Sequence, residues 1–506
     1  MFKTMKLRKY KTEFIAATLL ISSYLFIRLY NIMSLPLFTD EAIYVRWSQI
    51  ARFDASWRFI SLTDGKQPSF VWASVIIMKL IEDPLLAGRL VSVIAGLFTM
   101  IGLYFLGKEF FKNRWVGIIS AFLYLVFPMA LVYDRMALYD SLVGTFTVWS
   151  LYFTVLLVRH IRLDIALILG MAIGGGVLTK TSAFFSIYLL PFSLLLFDFN
   201  NKKWKERLIK LIALMGISII FAYVYYSVLR LSPFFNIVGE KNSIFVYPLH
   251  DWIKHPFTFL EGNLAGELDW FKKYLTLPLV FAIVGGFFIK AGKYREKLML
   301  VIWFAAPFVA LALFGRVLYP RFIFFMILPL LPLAALFIYE LYRIIKNKII
   351  FTALLLLILG GALYSDYMIV TNIAKSPIPH SDLEQYVNEW PAGGGVKEII
   401  SYLDTESKKG KIHIASLGTF GSLPTYAVEI YLGDNRNVEK GGIYPVPTEM
   451  PEDLLEKAES MPVYLFVSNQ REFEAAIVTW PITKIVEYRK GAGSAYSRLY
   501  KINNPK

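Results

Sequence analysis

Phe14-Ile15-Ala16-Ala17-Thr18-Leu19-Leu20-Ile21-Ser22-Ser23-Tyr24-Leu25-Phe26-Ile27-Arg28-Leu29-Tyr30 is an almost unbroken apolar run, preceded by Lys3, Lys6, Arg8, Lys9 and Lys11. At 1.5 Å per residue, crossing a hydrocarbon core takes roughly 20 such residues, so the run reads as a membrane helix. A basic flank before an apolar run also suits a signal peptide. The length of this one and the lack of a small-residue cleavage site predict a retained anchor. The same pattern recurs at Leu90 to Leu106, Trp115 to Tyr133, Ser141 to Val158, Ile165 to Leu178, Ser182 to Phe197, Leu208 to Val228, Leu275 to Ile289, Leu298 to Phe314, Phe322 to Ile338 and Ile349 to Leu363. These make about eleven spans. Phe70 to Leu80 is too short to cross and is read as interfacial or re-entrant. The expected fold class is an α-helical polytopic membrane protein, residues 1–370, followed by a small α/β domain, residues 371–506.

Composition agrees. With 506 residues that are 56% hydrophobic and 16% aromatic, the chain is too apolar for a soluble protein of several domains. Its charged residues, 18% of the total, fall in short clusters between apolar runs. The net charge of +15 needs no nucleic acid, because most Lys and Arg flank spans, where positive-inside bias and anionic lipid account for them. No nucleic-acid partner is expected. Cysteine is absent, which excludes disulfides, thiolate metal sites and Cys nucleophiles.

Orientation follows from the short loops. Lys108/Lys112/Arg114, Arg159/Arg162, Lys202/Lys203/Lys205/Arg207, Lys290/Lys293/Arg295/Lys297 and Arg343/Lys346/Lys348 fall on the same side as the N-terminal cluster, which marks the cytoplasm of a cell (inner or plasma) membrane protein. Residues 31–88, 134–140, 230–272, 315–321 and everything after about 367 then lie outside. In the tail, a helix at Val396 to Glu406 and strands at Ile412 to Ser416 and Val463 to Val467 predict the α/β domain. Gly418-Thr419-Phe420-Gly421 follows a strand as a nucleotide loop would, but lacks the G-x-G-x-x-G spacing.

The outward loops concentrate charge. Asp40-Glu41 follows Thr39 ahead of Ala42-Ile43-Tyr44, and helix-start chemistry alone would explain it, with Thr39 as N-cap and two first-turn acids. Asp64-Gly65-Lys66-Gln67-Pro68-Ser69 is a turn with a cation at its tip. Asp134, Arg135 and Asp140 sit in one short turn, where Asp140 can cap the next span and Asp134-Arg135 can form an interfacial pair. Lys180 interrupts two half-length apolar runs. An intramembrane cation is a functional candidate by default, although Lys can snorkel. Arg316 and Arg321 flank Tyr319-Pro320, and Arg28 reads as a snorkelling anchor. Carboxylates and cations thus converge on the outer mouth of an apolar bundle, which suits an anionic, lipid-linked donor.

At these residues the chain resembles the GT-C superfamily of membrane glycosyltransferases, specifically the protein O-mannosyltransferase and lipid A aminoarabinose transferase group, over about its first 370 residues. The resemblance is carried in order by Thr39-Asp40-Glu41-Ala42-Ile43-Tyr44, Lys66-Gln67-Pro68, Arg135-Met136-Ala137-Leu138-Tyr139-Asp140, Leu178-Thr179-Lys180, and Tyr319-Pro320-Arg321 leading into Pro329-Leu330-Leu331-Pro332. It implies a polyprenyl-phosphate-linked sugar as donor and a protein, lipid or glycan as acceptor. Asp40 would be the general base, with Glu41 and Asp140 as further acids of the catalytic group, and Tyr44, Lys66, Gln67, Arg135, Lys180 and Arg321 would bind substrate. Gln67 and Ser69 depart from the group's Lys-Pro-Pro pattern, so the phosphate ligand there is either Lys66 or Gln67. No cofactor is required by the resemblance, and a divalent metal is left open, with His250 and His255 in another loop. A transporter or lipid flippase, suggested by span number and the Gly-rich Ile165 to Leu178 run, and a scaffold presenting the tail are the competing classes.

Overall fold

The structure is a computed structural model that describes residues 2–418, 422–468 and 479–503, with side chains described from residue 11 onward. Among these residues, seven helices are long and apolar enough to cross a membrane, and an eighth crossing is possible through a pair bent by 96° at Thr276. Three shorter apolar helices, Arg114–Leu125, Leu163–Val177 and Thr181–Leu196, complete the bundle. The protein is a multi-span membrane protein.

Local sequence explains where the helices start and break. The first, α1 (Phe2–Leu29), ends before Asn31, whose left-handed φ of 53° turns the chain. A two-residue strand β1 (Leu37–Phe38) leads into α2 (Thr39–Phe53), and α3 (Ser69–Ile77) is the short apolar segment that does not cross. Asp83 caps α4 (Pro84–Phe111) by accepting from Leu86 N at 2.8 Å, with Pro84 pre-set for the first helical position. The run expected as one span from Trp115 to Tyr133 is broken, because Pro128 cannot continue the ladder: α5 (Arg114–Leu125) stops and α6 (Pro128–Tyr133) starts anew. Then come α7 (Asp140–His160) and α8 (Leu163–Val177). The glycines of α8, which suggested a transporter, serve packing instead. A Cβ at Gly170 would strike Phe221 and one at Gly174 would strike Tyr225, so their absence lets α8 lie against the helix Trp204–Ser227.

Two charged belts mark the ends of the bundle. Arg159 pairs with Glu109 at 2.5 Å and Glu296 at 3.2 Å, joining loops that the sequence puts on one side. At the other end of α4, Arg89 meets Glu41. Helix rise separates Arg89 from Glu109 by about 30 Å, the thickness of a hydrocarbon core.

The tail is an α/β unit. Its sheet has the order β4-β3-β5-β7-β6, built from β3 (Ile412–Leu417), β4 (Val438–Ile443), β5 (Val463–Ser468), β6 (Ile482–Arg489) and β7 (Tyr496–Ile502). β3 is parallel to both neighbours, with Ile412 opposite Val438 and His413 opposite Val463, whereas β7 runs antiparallel to β5 and β6. The turn with the nucleotide-loop echo, Gly418 to Gly421, lies largely outside the described residues.

This unit docks on the bundle through the helix that holds the Asp-Glu pair. Arg46 of α2 pairs with Glu429 at 2.7 Å, and Gln49 donates to Ile430 O at 3.0 Å. Between the last span and the sheet, β2 (Ala392–Gly393) pairs antiparallel with β1, Leu37 opposite Gly393.

Candidate active site

The α2 helix begins one residue earlier than cap chemistry suggests. Phe38 is the N-cap, and Thr39 points to the tail instead, its N–H and Oγ1 both donating to Pro391 O at 3.0 and 2.9 Å. In the first turn, i and i+1 face different directions, so Asp40 and Glu41 part company.

Glu41 is fully buried. Its carboxylate accepts a two-pronged bond from Arg89 (2.9 Å to each oxygen), Phe38 N–H at 3.1 Å and Ala137 N–H at 2.7 Å. Four donors fill it, so it ties α2, α4 and the turn before α7 together and has no face left for a substrate.

Asp40 keeps 19% of its side chain exposed and meets Arg321 at 2.9 Å. Burial pushes the Asp40 carboxyl up, but the charges of Lys66 and Arg321 outweigh it and hold the group below the usual carboxylate range. Around this pair the loops bring in the other residues. Lys66 donates to Tyr44 Oη at 2.8 Å, Lys180 pairs with Asp140 at 2.8 Å and sits 4.5 Å from the Phe322 ring centre, and Gln67 donates to Thr181 Oγ1 at 2.8 Å. Lys180 is placed by the break itself: α8 ends at Val177, the chain turns through Leu178 and Thr179, and Lys180 alone is extended before helical turns resume. Arg321 follows Pro320, which opens a 3₁₀ turn at the start of the long segment Pro320–Ile344.

Asp40, Tyr44, Lys66, Asp140, Lys180 and Arg321 therefore share one end of the bundle. Arg135 does not join them. It lies buried, its Nη2 donating to Tyr30 O at 2.9 Å and Asn31 O at 3.1 Å, with Arg28 and Arg89 near it. The expected Asp134-Arg135 pair is also replaced. Asp134 meets Arg28 at 3.4 Å and accepts from Tyr24, Tyr124 and Ser141, which makes Arg28 an interior partner and not a snorkelling anchor. Arg316 faces the Tyr247 ring, 5.6 Å from its centre, away from Arg321's partner.

The sequence reading missed four contributors. Asp64 pairs with Lys66 at 3.5 Å and Lys241 at 2.6 Å, tying two outer loops together. Arg89 stands inside an apolar run. Asp382 accepts from Tyr133 Oη at 2.6 Å and from Tyr274, and Tyr386 sets its ring edge on Phe38. The donor set does not suit a divalent metal: Asp40 and Asp140 are each neutralised by a protein cation, and no three His, Asp or Glu side chains come together among the described residues.

Residues 66–226 match the dolichyl-phosphate-mannose-protein mannosyltransferase family. No curated protein matches the chain in sequence. Among solved structures, ArnT from Cupriavidus metallidurans bound to undecaprenyl phosphate is similar with a TM-score of 0.60 at 15% identity, covering 96% of this chain and 97% of that one. The archaeal oligosaccharyltransferase AglB from Archaeoglobus fulgidus, in complex with an inhibitory peptide and a dolichol-phosphate, gives 0.52 at 14% identity over 93% and 71%. The arabinofuranosyltransferase AftD from Mycobacteria gives 0.50 at 14% identity over 97% and 41%. The chain has the GT-C fold. The GT-C resemblance read from short motifs before residue 370 extends through the tail, since the likeness to ArnT covers nearly the whole of both chains. Within the GT-C fold, the matched segment contributes Lys66, Asp140 and Lys180 of the candidate site, with Asp40 before it and Arg321 after it.

Proposed function

We propose that the protein is a glycosyltransferase that moves a sugar from a polyprenyl-phosphate carrier to an acceptor hydroxyl at the extracytoplasmic face of a cell membrane, with the tail domain on that face. The observation that carries this reading is the Asp40–Arg321 pair, a largely buried carboxylate and a guanidinium at 2.9 Å, flanked by Lys66 and Lys180 at one end of an apolar bundle. The family matched by residues 66–226, and the undecaprenyl phosphate and dolichol-phosphate named with ArnT and AglB, support the class of donor.

The residues divide the work by charge. The acceptor O–H gives its proton to Asp40 as its oxygen bonds to the anomeric carbon, while the bond from that carbon to the phosphate oxygen breaks and its electrons leave with the phosphate. A phosphate departs as a stable anion, so cations matter more than a general acid, and Arg321, Lys66 and Lys180 supply them. Attack from one face in a single displacement inverts the anomeric carbon. Arg321 also sets the timing. A guanidinium shared with an incoming phosphate is drawn from Asp40, whose carboxylate then becomes more basic when donor is in place. Asp140 holds Lys180 and Glu41 holds the loop, both as positioning residues. Arg135 is left out of substrate contact.

The test is transfer from polyprenyl-phosphate sugars by the full-length protein in lipid nanodiscs. Asp40→Asn should abolish it, and full activity in that variant would remove Asp40 as the base.

A further inference from the structure

The wall behind Arg321 comes from the far end of the chain. The guanidinium lies 5.5 Å from the Phe38 ring centre, and the same ring takes the edge of Tyr386 at 4.9 Å and 87°. Tyr386 is buried and sets a second edge-on contact on Tyr133 at 6.3 Å. It belongs to a wide helical turn, Glu384–Asn388, directly after the short helix His380–Leu383 that carries Asp382. A few residues on, β2 fixes β1, and Pro391 O receives both donors of Thr39, the residue next to Asp40.

Asp382 has no apparent reason to be ionisable if it only fills space. A buried carboxylate is costly to desolvate, and an apolar side chain would pack at lower cost. This one takes both tyrosine hydroxyls on Oδ2 and leaves Oδ1 without a partner among the described residues. The groups that face it electrostatically are Tyr133, Tyr274 and Tyr386 on three different elements, Arg321, and Asp140 across the site. Burial raises its carboxyl to about 6, with Tyr133, Tyr274 and Arg321 pulling down and Asp140 pushing up.

We propose that residues 380–393 form a wall of the transfer site, in which Asp382 and Tyr386 are positioning residues for Arg321: Tyr386 braces Phe38 beneath the guanidinium, and Asp382, held by Tyr133 and Tyr274, adds a buried carboxyl behind that wall. The proposal rests on the reading of Asp40 and Arg321 as the transfer centre. It makes the tail segment part of the reaction machinery, with the sheet domain as its anchor.

Three readouts on the full-length protein in nanodiscs test it: hydrogen exchange at residues 37–41, binding of undecaprenyl phosphate, and the pH profile of kcat with a polyprenyl-phosphate mannose donor. Tyr386→Ala should speed exchange at the loop and weaken undecaprenyl phosphate binding about 10-fold, and Tyr386→Phe should restore both. Asp382→Asn keeps an acceptor for the two tyrosines, so it should keep thermal stability and donor KM while removing an inflection near pH 6 from kcat. Wild-type exchange and binding in Tyr386→Ala, or an inflection that survives Asp382→Asn, would overturn the proposal. If the wild-type protein turns over no donor yet Tyr386→Ala still loosens the loop and weakens phosphate binding, the wall stands and the transferase reading falls.

Discussion

Arg321 Nη2 rests 2.9 Å from Asp40 Oδ2, so the acid best placed to accept a proton is neutralised by the cation best placed to hold a phosphate. The proposed base and the proposed phosphate cation are thus coupled before any substrate arrives.

That coupling gives an uncommon sign for a catalytic variant. Asp40→Asn should lower kcat by about 10²–10⁴-fold, the usual contribution of a general base. With its competitor gone, Arg321 should bind undecaprenyl phosphate more tightly than in wild type. Isothermal titration in nanodiscs checks this, and weaker binding in the variant would show that the two anions do not share the guanidinium.

The pH dependence should separate two carboxylates. Because Lys66 and Arg321 outweigh burial and depress the Asp40 carboxyl, its base form survives acidification to below the usual carboxylate range. Loss of activity between pH 7 and 5 then belongs to another group, and the Asp382 carboxyl at about 6 is in that window. Moving the acid limb with Asp40→Glu and not with Asp382→Asn would reverse the assignment.

Glu41 and Arg89 should matter to folding. Removing one member of a buried, fully bonded pair costs about 3–5 kcal/mol, so Glu41→Gln and Arg89→Met should each lower the thermal midpoint sharply. Joint replacement by Leu and Met should recover part of that loss, since no lone charge stays buried. Equal destabilisation by the double and single variants would argue against a simple ion pair.

The tail carries its own titration. Burial drops the Lys490 amine to about 7, where it donates to Trp390 O at 3.0 Å and Ser468 Oγ at 2.6 Å. In an unfolded chain the amine keeps its proton to about pH 10. Between those values the unfolded state binds the extra proton, so stability should rise as pH goes from about 7 to 10. Thermal melts across that range should show the rise in wild type and lose it in Lys490→Met.

Much of this was legible in the sequence for a physical reason. Spans announce themselves through length and hydropathy, and charges at one rim of a bundle can be sorted by loop polarity, so Asp40, Lys66, Asp140, Lys180 and Arg321 could be grouped in advance. Direction could not. Nothing in Asp134-Arg135 says that the acid turns inward to Arg28 while the arginine turns to Tyr30 and Asn31. Asp40-Glu41 likewise reads as a unit until the helix start splits it. Asp382 and Tyr386 left no trace at all, because Ser381-Asp382-Leu383-Glu384 looks like any helix start, and its partners Tyr133 and Tyr274 are 249 and 108 residues away.

The bond from Thr39 to Pro391 joins residues 352 apart. Closing a loop of that size costs about 5 kcal/mol of chain entropy, which the strand pair and the docked sheet must offset together. It also sets an order of events during synthesis. Asp40 leaves the ribosome early and waits, without its tail contacts, until the last quarter of the chain has been made and brought to the same end of the bundle. A chain ended just after its last span would therefore hold every span and most of the charged rim, yet lack the contacts that Tyr386 and Pro391 make with Phe38 and Thr39.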